Sequence, residues 1–319
     1  MPNTKHAIGV DLGGTSIKFG VVSRRGKLIA SFSLPTNAQD GPDTVINQIK
    51  KGIRTLQKEY KNKIAGIGIG SPGSIIQKKG TVENPPNFPG WEKVPLGKIL
   101  NKEFGLKVSV DNDANAAAIG EMIFGAGKKD KNFIMITLGT GVGSGIIIDQ
   151  KIYRGETGAA GEIGHVSIKY DGRKCKCGSY GCVEAYVGNN YLVENVKQEL
   201  NNHPDSMINK IIENELGNLT PKVIHDAACQ GDEYARSIVM EVGKYVGYGL
   251  ANATNTLDIT IFIIGGGVSG FGELLFNSIK EAAVERVMVP FKERIVIKPA
   301  HLKNDAGVLG ASALVFYDA

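Results

Sequence analysis

The chain has no apolar run approaching the ~20 residues that a membrane-spanning helix needs, so no membrane association is expected. No apolar segment precedes the first strand signal, so a secretory leader is not expected and the cytoplasm is the default location. Concentrated positive charge is also missing. The net charge is +5 with Lys and Arg scattered. The one dense basic run, Lys128-Lys129-Asp130-Lys131, reads as a solvated turn, which leaves nucleic-acid binding weakly supported. There is no GxxxxGK[ST], so a P-loop is excluded, and no good GxGxxG opens a βαβ unit. Low-complexity tracts and long linkers are absent, so the domains are closely joined. Cysteine is scarce, at four in 319 residues.

What is present describes an ordinary globular chain, 42% hydrophobic and 22% charged, and long enough for two domains. Glycine is in excess at 42 residues, roughly twice the usual share. The excess sits in short clusters beside strands, which reads as loops that approach a ligand closely. Three of the four cysteines fall in one hydrophilic stretch, GEIGHVSIKYDGRKCKCGSYGCVE, from Gly161 to Glu184. Cys175, Cys177, Cys182 and His165 make a Cys₃His set that suits a closed tetrahedral zinc site. Gly178 and Gly181 allow the reversals that return Cys182 to the CxC pair. A disulfide or unrelated surface thiols are the alternative, disfavoured in a chain with no leader. A metal here would fix Glu162 and Glu184 in place, and carboxylates accept well from sugar hydroxyls. Cys229, in HDAACQGD, reads as a small buried helix residue rather than a ligand.

Along the chain, HAIGVDLGGTSIKFGVV at residues 6–22 is an apolar run, a glycine turn and a second run, a hairpin signal. Lys27–Leu34 is a third strand. Asp43–Tyr60 carries Val45, Ile46, Ile49, Ile53 and Leu56 at helical spacing. Ile64–Ile69 is a buried strand that ends in Gly70-Ser71-Pro72-Gly73, and NPPNFPGW, Asn84–Trp91, is an irregular loop. Pro95–Phe104 is helical. Val108–Val110 is a strand leading into Asn112-Asp113-Ala114-Asn115 and an alanine-rich helix, Ala116–Phe124. FIMITLGTGVGSGIII, Phe133–Ile148, then repeats the opening pattern, with Thr137-Leu138-Gly139 in the place of Asp11-Leu12-Gly13. That recurrence implies two related α/β halves, unless it is only that hairpins resemble one another. Beyond the cysteine stretch, Asn189–Leu200, Met207–Leu216, Thr220–Gln230 and Glu233–Thr254 are helical. Ile259–Ile264 is a strand, GGGVS from Gly265 opens a further helix, Ile295–Pro299 is a strand and Ala306–Phe316 is a closing helix.

Three glycine turns follow strands: DLGGTS (Asp11–Ser16), TLGTGVGSG (Thr137–Gly145) and GGGVS (Gly265–Ser269). Glycine lets backbone N–H groups reach an anion, and a helix start adds a favourable dipole. Together the turns suit a nucleotide lying between two lobes. Asp11 could orient a phosphate-bound magnesium through water, or merely cap its turn. VDNDAN, Val110–Asn115, places carboxylates and amides where a strand ends and a helix begins, a position that faces a crevice in α/β folds. A hydroxyl attacking a γ-phosphate needs an oriented base, and Asp113 is the candidate with Asn112 beside it. The alternative is that one of them only caps the helix.

Taken together, DLGGTSIKFG, SPG, NPPNFPGW, DNDANAAAIGE, TLGTGVGSG, GEIGH, CKCGSYGCVE and GGGVS resemble a ROK-family sugar kinase, close to the bacterial glucokinases of that family. They occur in family order over nearly the whole chain. The resemblance implies a two-lobed, duplicated ribonuclease-H-like α/β fold with a zinc-binding loop, closing on ATP and a hexose. Residues 1–116 plus 305–319 would form the smaller lobe, and 117–304 the larger one with its zinc loop at 165–182. It implies Asp113 as general base, with Gly73, Asn87, Asn112, Asp113, Glu162, His165 and Glu184 at the sugar. Asp11, Gly13, Gly14, Thr15, Ser16, Lys18, Thr140, Gly141, Gly266 and Gly267 would lie along the nucleotide, with His165, Cys175, Cys177 and Cys182 on zinc. The implied chemistry is phosphoryl transfer from Mg-ATP to a hexose 6-hydroxyl, glucose first, in a homodimer or homotetramer. A kinase for fructose, mannose or N-acetylmannosamine, a non-catalytic sugar sensor and a zinc-containing interaction module stay open. Only ten residues precede Asp11, too few for the family's DNA-binding module, so no nucleic-acid partner is expected.

Overall fold

The computed structural model describes residues 5–60 and 63–317. Residues 1–4, 61–62 and 318–319, which fall within the expected lobes, lie outside the described residues. The elements in order are β1 (His6–Leu12), β2 (Ser16–Ser23), β3 (Leu28–Pro35), α1 (Pro42–Tyr60), β4 (Ile64–Ser71), β5 (Ser74–Ile76), β6 (Thr81–Glu83), β7 (Lys93–Val94), α2 (Leu96–Phe104), β8 (Lys107–Asn112) and α3 (Asp113–Phe124). There follow β9 (Phe133–Leu138), β10 (Val142–Ile148), β11 (Lys151–Tyr153), α4 (Glu184–Val187), α5 (Asn189–Glu199), α6 (Met207–Ile211), α7 (Pro221–Cys229) and α8 (Glu233–Leu257). The chain closes with β12 (Ile261–Gly265), α9 (Glu273–Arg286), β13 (Val296–Pro299) and α10 (Ala306–Tyr317).

Two five-stranded sheets have the same order, β3-β2-β1-β4-β8 and β11-β10-β9-β12-β13. The repeat of strand and glycine turn seen in the sequence is therefore a duplication of topology. In the first sheet β1, β2 and β3 form an antiparallel meander, while β4 and β8 run parallel to β1.

The first compact unit comprises Met1–Met135, Gly145–Gly161 and Ala300–Ala319. Its central strands alternate strictly. Ile8, Val10, Ile67 and Ile69 bury one face in a core shared with Ile49 and Ile53 of α1 and Leu96 and Leu100 of α2. The opposite face carries glycines, because α10 lies directly on it. A Cβ built at Gly68 would stand 1.8 Å from the carbonyl oxygen of Ala311. Gly68→Ala is therefore expected to destabilise this unit by about 1–3 kcal/mol or more through overpacking, read as a lower calorimetric Tm. An unchanged Tm would contradict the packing.

The α3 helix also packs tightly on α10, at Gly120 and Gly310, where a Cβ would stand 2.8 and 2.5 Å from the facing backbone. The buried Glu121 ties the end of α3 to the approach to α10 by accepting from the Ala126 N–H (2.7 Å) and the Leu302 N–H (2.9 Å). The division into units consequently falls elsewhere than at 116 and 305: α3 and residues 145–161 go with the first unit. The second unit is Ile136–Ser144 and Glu162–Pro299, with the helices α4 to α9.

Several local expectations need correction. The helix expected from Ala116 starts at Asp113, because Asn112 caps it by accepting from the Ala114 and Asn115 N–H groups. The helix expected over Met207–Leu216 stops at Ile211, where Glu213 and Asn214 turn left-handed. GGGVS opens a 3₁₀ turn before α9. Cys229 is exposed on the last turn of α7, beside His225. The small sheet β5-β6-β7 and the strand β11 carry too few residues to show a period in the sequence. Among the described residues no helix is long and apolar enough to cross a membrane.

Candidate active site

Three parallel strands of the first sheet end at one edge, where the chemistry-bearing residues of the first unit collect. Asp11 of β1 is level with Gly70 of β4, and Ser71 of β4 with Asn112 of β8. A Cβ on Gly70 would lie 3.6 Å from the Asp113 Cα, so the candidate base stands directly over the end of β4. Asp113 is exposed, and its Oδ1 accepts from the Ala114 N–H at 2.8 Å. Asn112 faces inward: its Oδ1 caps α3, and its Nδ2 donates to the Gly73 carbonyl at 3.3 Å. Gly73 has φ +88°, and any Cβ there would meet the backbone of Glu83 and Pro85. This one amide thus joins the end of β8 to the loop after β4.

The first glycine turn lies at the same edge. The Gly13 N–H donates to the Ser16 carbonyl at 3.2 Å, and the Thr36 hydroxyl closes the turn from below on the Gly13 carbonyl at 2.6 Å. Gly14 and Thr15 remain exposed, as does Lys18, which pairs with Asp11 across the hairpin. The Asp11 carboxylate lies against Gly307 in the first turn of α10. Burial pushes its carboxyl above the usual range, and Lys18 opposes that. Asn87 is exposed with φ +68° on the proline-rich loop. That loop is better anchored than its composition suggests, by the buried Phe88 and Trp91 packed edge to face at 5.5 Å.

In the second unit, His165, Cys175, Cys177 and Cys182 come together with their ligand atoms all within 4.8 Å. Cys175 Sγ is 3.7 Å from His165 Nδ1, and Cys177 Sγ is 3.7 Å from Cys182 Sγ. Sulfur and nitrogen ligands at about 2.3 and 2.0 Å from one tetrahedral ion lie about 3.5–3.8 Å apart, close to the two separations above, so the set is compatible with zinc. The sulfurs are far beyond the ~2.05 Å of a disulfide, and all are free thiols. Burial pushes the Cys182 thiol up to about 12 and raises Cys175, whereas a backbone hydrogen bond from Ser179 lowers Cys177.

Glu184 opens α4, and its Oε2 accepts from the Val142 N–H at 2.9 Å. Its Oε1 is 4.0 Å from Cys175 Sγ. Gly141 lies against the same carboxylate: a Cβ built there would stand 2.5 Å from that Oε2, so any side chain at 141 would push the Glu184 carboxylate aside. Glu184 therefore links the cysteine loop to the second glycine turn, in which Thr140 is exposed. Gly266 of the third turn lies against the Leu138 backbone, and Gly267 beside it is exposed. Glu162 is exposed one residue before Ile163, whose N–H donates to Ser144 Oγ at 3.1 Å.

The sequence reading passed over Asp111, Arg154 and Ser144. Asp111 is 2% exposed, and both of its oxygens are used. Oδ1 accepts from the Asn112 N–H (2.8 Å) and Asn115 Nδ2 (3.1 Å), and Oδ2 from Arg154 Nε (3.0 Å) and Nη2 (2.6 Å). Asp111 lay inside the stretch already singled out, as a charge on a strand. Arg154 carries no local signal.

In the first unit, then, a carboxylate and a phosphate-type turn share one strand edge. In the second, two further glycine turns accompany a loop with a Cys₃His cluster that could hold a metal, and with two carboxylates. Comparison with known proteins accords with this chemistry. A family profile described as the ROK family matches residues 7–317. A glucokinase of Halalkalibacterium halodurans is 38% identical over 97% of this chain and 94% of that protein. A xylose repressor of Caldicellulosiruptor bescii is 35% identical over 98% of this chain and 78% of the repressor. The crystal structure of a ROK family glucokinase from Streptomyces griseus, in complex with glucose and AMPPNP, superposes with a TM-score of 0.85. It is 36% identical and covers 97% of this chain and 98% of its own.

Proposed function

The chain belongs to the ROK family, and from that premise we propose that it is an ATP-dependent hexokinase that converts glucose to glucose 6-phosphate. The observation that carries the reading is the exposed Asp113 carboxylate beside the end of β4, at the strand edge that also holds the Asp11–Ser16 turn. The glucokinase complex with glucose and AMPPNP supports the choice of both substrates.

The 6-hydroxyl of the hexose attacks the γ-phosphorus of ATP, and Asp113 accepts the hydroxyl proton as the new O–P bond forms and the bond to ADP breaks. Gly73, Asn87, Asn112, Glu162, His165 and Glu184 orient the ring. His165 turns Nδ1 toward Cys175, which leaves Nε2 for a sugar hydroxyl. Gly13, Gly14, Thr15, Ser16 and Lys18 from one turn, Thr140 and Gly141 from another, and Gly266 and Gly267 from the third cradle the nucleotide. Magnesium bound with ATP would screen the phosphate charge, and Asp11 would orient it. Zinc held by His165, Cys175, Cys177 and Cys182 would supply rigidity, since a closed four-ligand site has no open position for substrate. Most of the rate gain comes from positioning and charge stabilisation. The assembly proposed is a homodimer or homotetramer.

A panel of hexoses in a coupled ATP-consumption assay tests the reading. Glucose is expected to give the highest kcat/KM. A higher value for mannose, fructose or N-acetylmannosamine moves the assignment to that sugar. Glucose binding without ATP consumption favours a sugar-sensing regulator, the alternative that the repressor relative brings.

A further inference from the structure

We propose that Arg154 acts through Asp111 as a positioning residue for Asp113. The inference rests on Asp113 being the general base. Asp111 Oδ1 holds residues on both sides of Asp113, the Asn112 N–H and the Asn115 side chain. Its other oxygen is taken by two donors of one guanidinium, Arg154 Nε and Nη2. The first turn of α3 is thus clamped from below by one buried carboxylate, whose own orientation is set by Arg154.

The Asp111 side chain is only 3% exposed and that of Arg154 22%, so the carboxylate is buried against a partly exposed guanidinium. Truncating one partner of such a pair leaves an uncompensated buried charge. Two convergent N–H donors also fix direction in a way that a single ammonium does not. Arg154 has a second attachment: its carbonyl accepts from the Ala160 N–H at 3.1 Å. It therefore stands at the root of the loop that leads, two residues later, into Glu162. The Arg154 side chain sets the base-bearing helix start, while its backbone carbonyl roots the segment that runs towards GEIGH. A misplacement of about 1 Å at the base is enough to cost roughly 10²-fold in rate.

The experiment compares Arg154→Met, Arg154→Lys and the double variant Arg154→Met/Asp111→Asn, measuring kcat, both KM values and Tm, with Asp113→Asn as control. Arg154→Met is expected to lose about 10²-fold in kcat, with the KM for ATP nearly unchanged and Tm lowered. Arg154→Lys restores charge balance and Tm, but not turnover. The double variant, with a neutral amide at 111, regains Tm while kcat stays low. The proposal is overturned if kcat rises with Tm in the lysine or double variant, because the pair then serves folding alone. It is equally overturned if Arg154→Met turns over at the wild-type rate. Should Arg154→Met fail to fold, the lysine and double variants still decide. Full turnover in Asp113→Asn would instead remove the base assignment itself, a different failure from loss in Asp113→Asn with none at Arg154.

Discussion

Asp113→Asn is expected to lose roughly 10²–10⁴-fold in glucose turnover, the usual range for removing a general base, while glucose binding measured by calorimetry persists. The substitution keeps the shape of the side chain and removes its charge and its capacity to accept a proton. An asparagine keeps an oxygen for the Ala114 N–H that Asp113 Oδ1 now holds at 2.8 Å. It also keeps the shape of an exposed side chain at the first position of α3, and the capping of that helix belongs to Asn112. The loss should therefore fall on kcat, with Tm near the wild-type value. Asn112→Ala is the contrasting change, since it removes a cap and the bond to the Gly73 carbonyl together. Turnover at the full rate in Asp113→Asn would show that another group takes the hydroxyl proton.

Stripping zinc is expected to produce the second large effect. Elemental analysis of the purified protein should give one zinc per chain. At free zinc a thousandfold above Kd, the ion stabilises the fold by about 4 kcal/mol. Chelation under reducing conditions should then lower Tm by roughly 10 °C for a unit of this size. The functional loss should reach both substrates. Glu184 lies against Cys175 on one side and holds the Val142 N–H of the second glycine turn on the other. Loosening residues 162–184 thus frees the backbone beside Thr140 and Gly141 as well as the carboxylates proposed for the sugar. Cys182→Ser should reproduce the change without chelator, because Cys182 is fully buried and pairs across the loop with Ser167. Active protein containing no zinc would end the metal assignment.

Much of this is legible in the sequence wherever the determinants lie close together along the chain. Apolar spacing in α1 marks its buried face, and the two strand–glycine–strand units announce the duplication. Asn112 and Asp113 could be picked out because a strand end, a cap and a carboxylate fall within a few residues. The four candidate metal ligands lie on one short loop, so their spacing marks them as a set, and the 3.7 Å separations show that their side chains meet. Exposure was harder to judge. Cys229 follows two buried alanines on α7 yet faces outward, since the helical repeat carries it off the buried side.

The amino-acid order thus determined which segments become strands and helices, where the glycine turns fall and which side chains can hold a metal, because each depends on neighbours a few positions away. Tertiary structure alone decided that Asp111 meets Arg154 across 43 positions, that Glu184 meets Val142 across 42, and that Glu121 meets the Leu302 N–H across 181. A buried charge is tolerable only beside its partner. The identity of that partner is settled by how helices and sheets stack, and local spacing carries no trace of it.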